Sequence, residues 1–151
     1  MRDIENIIPQ LNSIIAIATE LIESDALYVA LLHKGKALHT ALQNLTTEEG
    51  TSFQKWHSHT IVANATPLIS ALSENQAYTI EKVTAQYENY LGMSVYLPET
   101  ETTLQVGWCI KNKDVLTTCA LQVVQHTQTQ LNYALKSHAR EEQLCHQLQQ
   151  E

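Results

Sequence analysis

Basic residues are scarce. The 151-residue chain carries 9 Lys and Arg against 16 Asp and Glu, a formal charge of −7, with no run of Lys or Arg. Nucleic acid and anionic lipid are captured through a basic footprint, so direct nucleic-acid binding and membrane attachment are both disfavoured. Aromatic residues make up only 6% of the chain, too few for a surface specialised in stacking bases. Cysteine is limited to Cys109, Cys119 and Cys145. That odd, widely spaced set has no Cys-x-x-Cys pair, which argues against a disulfide framework or a zinc knuckle and makes reduced, mostly buried thiols the expectation. There is no Gly-rich phosphate loop, no nucleophile elbow and no His-Glu-x-x-His helix. No apolar run approaches the ~20 residues that span a bilayer, and the opening Met1-Arg2-Asp3-Ile4-Glu5 puts acids where a secretory signal would be positive. A cytoplasmic protein is expected.

What is present has the size of one domain and 44% hydrophobic content, which suits a soluble globular core. From Ile4 to Ile22 the apolar residues recur at spacings of three and four, the period of an amphipathic helix. Ala26 to Leu32 and Ala37 to Leu42, joined around Gly35, read as a hairpin. Gln43 to Gly50 reads as a loop. Thr66-Pro67 supplies an N-cap and a proline at the first turn of a short helix through Leu68, Ile69 and Leu72, with Asn75 as its left-handed end. Ala77 to Ile80 follows as a strand, and residues 84–91 as a further short helix ended by Gly92. Ser94 to Pro98 and Leu104 to Ile110 are two more strands, joined by an acidic turn. After Lys113-Asp114, a long helix runs from Val115 to Glu151 without Gly or Pro.

His57 and His59 stand beside Trp56 and invite a metal reading. On a strand the two rings share a face; on a helix they lie about 200° apart and cannot chelate together. Phe53, Trp56, His57, Thr60 and Ile61 follow helical spacing, so a helix is expected, with His57 beside Trp56 on its buried face and His59 turned outward. No metal site is expected there, nor at the adjacent Cys145-His146. Cys109 and Cys119 sit in apolar surroundings, where burial keeps a thiol protonated and inert.

The order of elements resembles the GAF family of sensor domains over roughly residues 4 to 140. Pro67 to Ile80 looks like that family's helix, turn and strand, and Ser94-Val95-Tyr96-Leu97-Pro98 like its central strand. Gly107 in Val106-Gly107-Trp108 is similar to the glycine of the following strand, and Asp114-Val115-Leu116 to the start of the last helix. The glycines usual before the middle helix are replaced by Ile61-Val62-Ala63-Asn64-Ala65, so a different pocket-side loop is expected. Free methionine sulfoxide reductases share the fold, but their cysteine-bearing loop has no counterpart in Glu81 to Met93, so no enzyme activity is expected.

The resemblance implies an α+β fold: a central antiparallel sheet with long N- and C-terminal helices on one face and short helices on the other. It implies a sensor domain over residues 1–138 and a helical linker over 139–151, where apolar residues thin out. Nothing signals a stop at Glu151, so an attached output domain is expected. Candidates are an ATPase-type transcription activator, a cyclic-dinucleotide enzyme or a kinase. Trp56, His57, Tyr87, Tyr90 and Met93 fall in the segments that line the ligand cavity of the family; core and lid packing explains them equally well. No tightly bound cofactor is expected. A homodimer through the terminal helices is expected to use Ile4, Ile8, Leu11, Ile15, Leu131, Leu135 and Leu148. The competing class is a small cytoplasmic adaptor or chaperone-like protein acting through protein contacts.

Overall fold

The structure, a computed structural model, describes residues 2–60, 68–71, 87, 89–111 and 118–150. A 3-10 turn over Arg2–Ile7 leads into helix α1, Ile8–Ile22, whose Pro9 occupies the first turn. There the missing N–H costs nothing, because the first amides of a helix have no partner inside it. Leu11, Ile15, Ala18 and Ile22 are buried at spacings of four, three and four. Glu23 closes α1 in the left-handed conformation, with φ 58°.

Strands β1, Ala26–His33, and β2, Lys36–Gln43, form the expected hairpin. Lys34 and Gly35 turn the chain with positive φ of 50° and 80°, the two-residue turn whose twist matches that of the strands. Helix α2 spans Thr47–Thr60. Its start is a capping box: Glu49 N–H donates to Thr46 Oγ1, and Thr46 N–H donates to Glu49 Oε1 at 2.7 Å. That exchange satisfies two amides otherwise left bare, and it explains why the expected loop from Gln43 to Gly50 gives way to helix at Thr47.

Strands β3, Leu68–Ala71, β4, Asn89–Leu97, and β5, Thr102–Ile110, complete one sheet in the order β2-β1-β5-β4-β3, every neighbouring pair antiparallel. Helix α3 covers Thr118–Gln150, 33 residues or about 50 Å.

Two sequence expectations are corrected. Leu68 and Ile69 belong to a strand rather than a helix, because β3 pairs with β4 from Leu68↔Gly92 to Ala71↔Asn89. Tyr90 and Leu91 likewise belong to β4, and Gly92 lies within that strand opposite Gly107 rather than ending a helix. The three-four spacing of a few apolar residues lost to ladder hydrogen bonds, which β4 makes on both sides and β3 with β4. Thr66-Pro67, Asn75, Ala77 to Ile80, and Lys113 to Val115 lie outside the described residues.

Alternation along the strands divides the sheet into two faces. Leu27, Val29 and Leu31 of β1, Leu91, Met93 and Val95 of β4, and Leu104, Val106 and Trp108 of β5 join α1 and α3 in an aliphatic core. Trp108 Nε1 donates to Thr19 Oγ1 at 2.9 Å, tying α1 to the sheet's centre. Both long helices thus lie on one face, as expected. Tyr28, Ala30, Tyr90 and Cys109 face the other way, onto Phe53 and Trp56 of α2.

The same core corrects most of the expected dimer contacts. Ile4, Leu11, Ile15, Leu131 and Leu135 are each at most 7% exposed, consumed by the chain's own sheet and by α1 packing on α3. Ile8 is half-buried against them, and Leu148 remains exposed. The apolar side chains left outside are instead Ile17, Leu21, Tyr133 and Leu144. From Arg140 to Gln149 α3 is exposed throughout.

Candidate functional site

Aromatic rings and hydrogen-bonding groups dominate the α2 face of the sheet, with Leu32, Leu42 and Leu45 beside them. Phe53, Trp56 and His57 follow one another at three-four spacing along α2, so a single helical face delivers all three onto the sheet. Each is at most 2% exposed. The helix expected through His57 and His59 is the one observed; the side chain of His59 lies outside the described residues. Among those residues no cluster of three or more His, Cys, Asp or Glu is placed to hold a metal.

His57 is held at both ring nitrogens. Nδ1 lies 3.2 Å from Ser94 Oγ, and Nε2 is hydrogen-bonded to Tyr90 Oη. A neutral imidazole offers one donor and one acceptor, which is what two hydroxyl partners accommodate. Burial drives its pKa down to about 3, so the ring stays neutral at physiological pH. Burial, followed by the nearby Cys109 and Tyr28, pushes the Tyr90 phenol well above its ordinary value, so it too keeps its proton.

Tyr90 is the centre of this cluster. Its ring stacks on Phe53 at 4.8 Å between centroids with planes 10° apart, and Trp56 lies 4.7 Å away. It crosses β5 where Gly107 sits. A Cβ on Gly107 would lie 1.6 Å from Tyr90 Oη, so only glycine lets the phenol lie flat on the sheet. Beside it Tyr28 Oη donates to Gln105 Oε1 at 2.7 Å, and Gln105 Nε2 reaches Ser58 Oγ at 3.3 Å. This second chain ties β1 and β5 to α2. Desolvation raises the Tyr28 phenol as well.

Tyr87 occupies the rim. Its hydroxyl donates to the Asn44 carbonyl at 3.0 Å, and Lys111 Nζ stands 5.8 Å from its ring centroid. Asn44 Nδ2 in turn donates to the Asp25 carbonyl, and Asp25 Oδ2 accepts from the Lys111 amide at 2.7 Å. Desolvation, then Cys109, Glu49 and Asp25, raise the Tyr87 phenol. Cys109 is buried beneath, and burial followed by Glu49 and Asp25 raises its thiol, which keeps it a weak nucleophile. Cys119 and Cys145 are exposed, against the expectation of mostly buried thiols.

The structure therefore brings together Trp56, His57, Tyr87 and Tyr90 of the five expected ligand-lining residues. Met93 is turned away: three residues past Tyr90 on a strand, it falls on the helical face with Leu91 and Val95. Tyr28, Ser94, Gln105 and Gly107 were missed. Their signal was parity, since Tyr90, Ser94, Gln105 and Gly107 occupy alternate strand positions facing α2, but it becomes readable only once β4 is recognised as a strand.

No family model and no curated protein matches the chain. Among the described residues the architecture is that of an α+β protein: one antiparallel sheet with the helices α1 and α3 on one face and α2 on the other. Among solved structures it is similar to the GAF3 domain of Slr1393 from Synechocystis sp. PCC6803 in its photoproduct state. The TM-score is 0.55 at 12% identity, covering 93% of this chain and 98% of that one. At that identity the likeness concerns the fold alone, and the chain has a GAF-like fold. No described helix is long and apolar enough to cross a membrane.

Proposed function

We propose that this domain is a regulatory sensor, in which a small molecule or partner acts on the α2 face and the change reaches an attached output domain, in signal transduction or transcription, through the terminal helices. The observation that carries this reading is a connected route across the sheet. His57 bonds the Ser94 hydroxyl on one side, and the Ser94 carbonyl accepts from Gln128 Nε2 of α3 at 3.4 Å. A shift of α2 that breaks the His57 contacts therefore acts on the residue that α3 grips. A ligand reaching His57 must replace the Tyr90 hydroxyl, since a buried acceptor left bare costs about 1–3 kcal/mol.

Dimerisation belongs to the same proposal, with its contacts moved outward. A groove of about 450 Å³ between α1 and α3 is lined by Ile14, Ile17, Leu21 and Val123, and the exposed Tyr133, Leu144 and Leu148 extend the apolar surface along α3. Two copies packing through that surface form an isologous helical bundle, whose geometry a change in α3 would alter. Hydrogen exchange tests the transmission. Tyr90→Phe should raise exchange in α3 around Gln128 as well as in α2. A change confined to α2 and β4 would leave a packing core with no sensing role.

A further inference from the structure

The sheet's helical face is incompletely covered. Register places Gln43, Ala41 and His39 of β2 beside Leu27, Val29 and Leu31 of β1, so β2 extends the same face outward to a strand that is largely exposed. Between this strip and α1 runs a groove of about 680 Å³, within the 300–1,000 Å³ usual for small-molecule sites. Its floor is apolar, from Ile15, Leu27, Val29 and Ala41.

The two ends differ. At one, Glu20 and Glu23 close the last turn of α1, which has no basic residue to neutralise them. The negative end of the helix dipole adds to their charge there. Ser24 Oγ is buried beside them without a hydrogen-bond partner. At the other end His39 Nε2 is likewise buried and unpartnered, near Asn12. Four residues of strand separate His39 from Gln43, about 13 Å. Among the described residues lining the groove there is no Lys or Arg. The site thus offers two carboxylates and a hydroxyl at one end, an aliphatic floor, and an imidazole with an asparagine at the other.

We propose that this groove binds a linear aliphatic polyamine, one ammonium held by Glu20, Glu23 and Ser24, the methylene chain on Val29 and Ala41, and the far amine at His39 and Asn12. A bare divalent cation would leave the apolar floor and the His39 end unused. The site lies on the opposite face of the sheet from His57 and is independent of the sensing proposal.

Spermidine, titrated calorimetrically into the purified chain at physiological salt, should bind saturably at one site. The double substitution Glu20→Gln/Glu23→Gln should weaken it at least about tenfold, and His39→Ala should weaken it several-fold. Glu141→Gln/Glu142→Gln makes the same charge change on α3 outside the groove and should bind as the unaltered chain does. Magnesium chloride at equal concentration should not displace spermidine. Absence of saturable binding would overturn the proposal, as would equal weakening in the two double variants or displacement by magnesium. Loss of spermidine binding as the chain self-associates would place a second copy in the groove and overturn it too.

Discussion

The two faces of the sheet are built from different chemistry. On the helical face Leu, Val, Ile and Trp108 interlock with α1 and α3, and the bonds from Trp108 Nε1 to Thr19 and from Gln128 to the Ser94 carbonyl stand in an aliphatic field. On the α2 face the packing runs through hydrogen bonds: His57 to Ser94 and Tyr90, Tyr28 to Gln105, Gln105 to Ser58. Aliphatic packing is tolerant of rearrangement but costly to hollow out, whereas a buried polar network is satisfied in one arrangement and penalised in most others. Loss of bulk is therefore the costly change on the first face, and loss of a hydrogen-bond partner the costly change on the second.

Removing bulk from the helical face should have the largest effect. Trp108→Ala deletes a wholly buried side chain together with its bond to Thr19, and urea denaturation should show a loss of about 4 kcal/mol. On the other face the matching perturbation is an addition. Gly107→Ala drives a methyl into the Tyr90 phenol and should cost about 2–3 kcal/mol. The same substitution in a Tyr90→Ala background should cost almost nothing further, and equal costs in both backgrounds would show that the ring does not lie over Gly107.

Smaller effects sharpen the contrast. Tyr90→Phe leaves His57 Nε2 unpaired and should cost about 1–2 kcal/mol, with the core around Trp108 unchanged by near-ultraviolet circular dichroism. Folding also holds the His57 pKa near 3, below its unfolded value of about 6.5. Between those values the unfolded chain takes up a proton that the folded chain refuses. Stability should therefore be level above about pH 6.5 and fall on acidification, by about 1.4 kcal/mol per pH unit from this group. His57→Gln should remove that share of the slope in urea titrations from pH 7 to pH 5. The smallest effect on stability is expected outside both cores. Ile17→Glu, on the exposed side of α1, should change it by no more than about 0.5 kcal/mol, while light scattering should show the proposed dimer lost.

The two faces were also unequally legible in the sequence. Where one periodicity dominates, as in Ile8 to Ile22 or Phe53 to Thr60, the element, and for His57 the buried face, could be read from spacing alone. Both long helices and the hairpin at Gly35 followed from such local signals. The strand positions of Leu68, Tyr90 and Leu91 did not, because they are decided by pairing with Gly92, Cys109 and Trp108, partners remote in sequence. Met93 was misassigned for the same reason, and Ser94 and Gln105 escaped notice. The apolar stripe on α1 was visible, and covering the sheet was one of its two readings, but spacing did not show that α3 would share in burying Leu11 and Ile15 while Ile17 and Leu21 stayed outside.

The claim that the α2 face is linked to α3 through Ser94 is tested most directly by a double-mutant cycle between His57→Gln and Gln128→Ala. The two residues approach the sheet from opposite faces, and both bond Ser94. Chemical denaturation of the four proteins should give a coupling above about 0.5 kcal/mol. Additive losses would mean that the two faces do not communicate along this route.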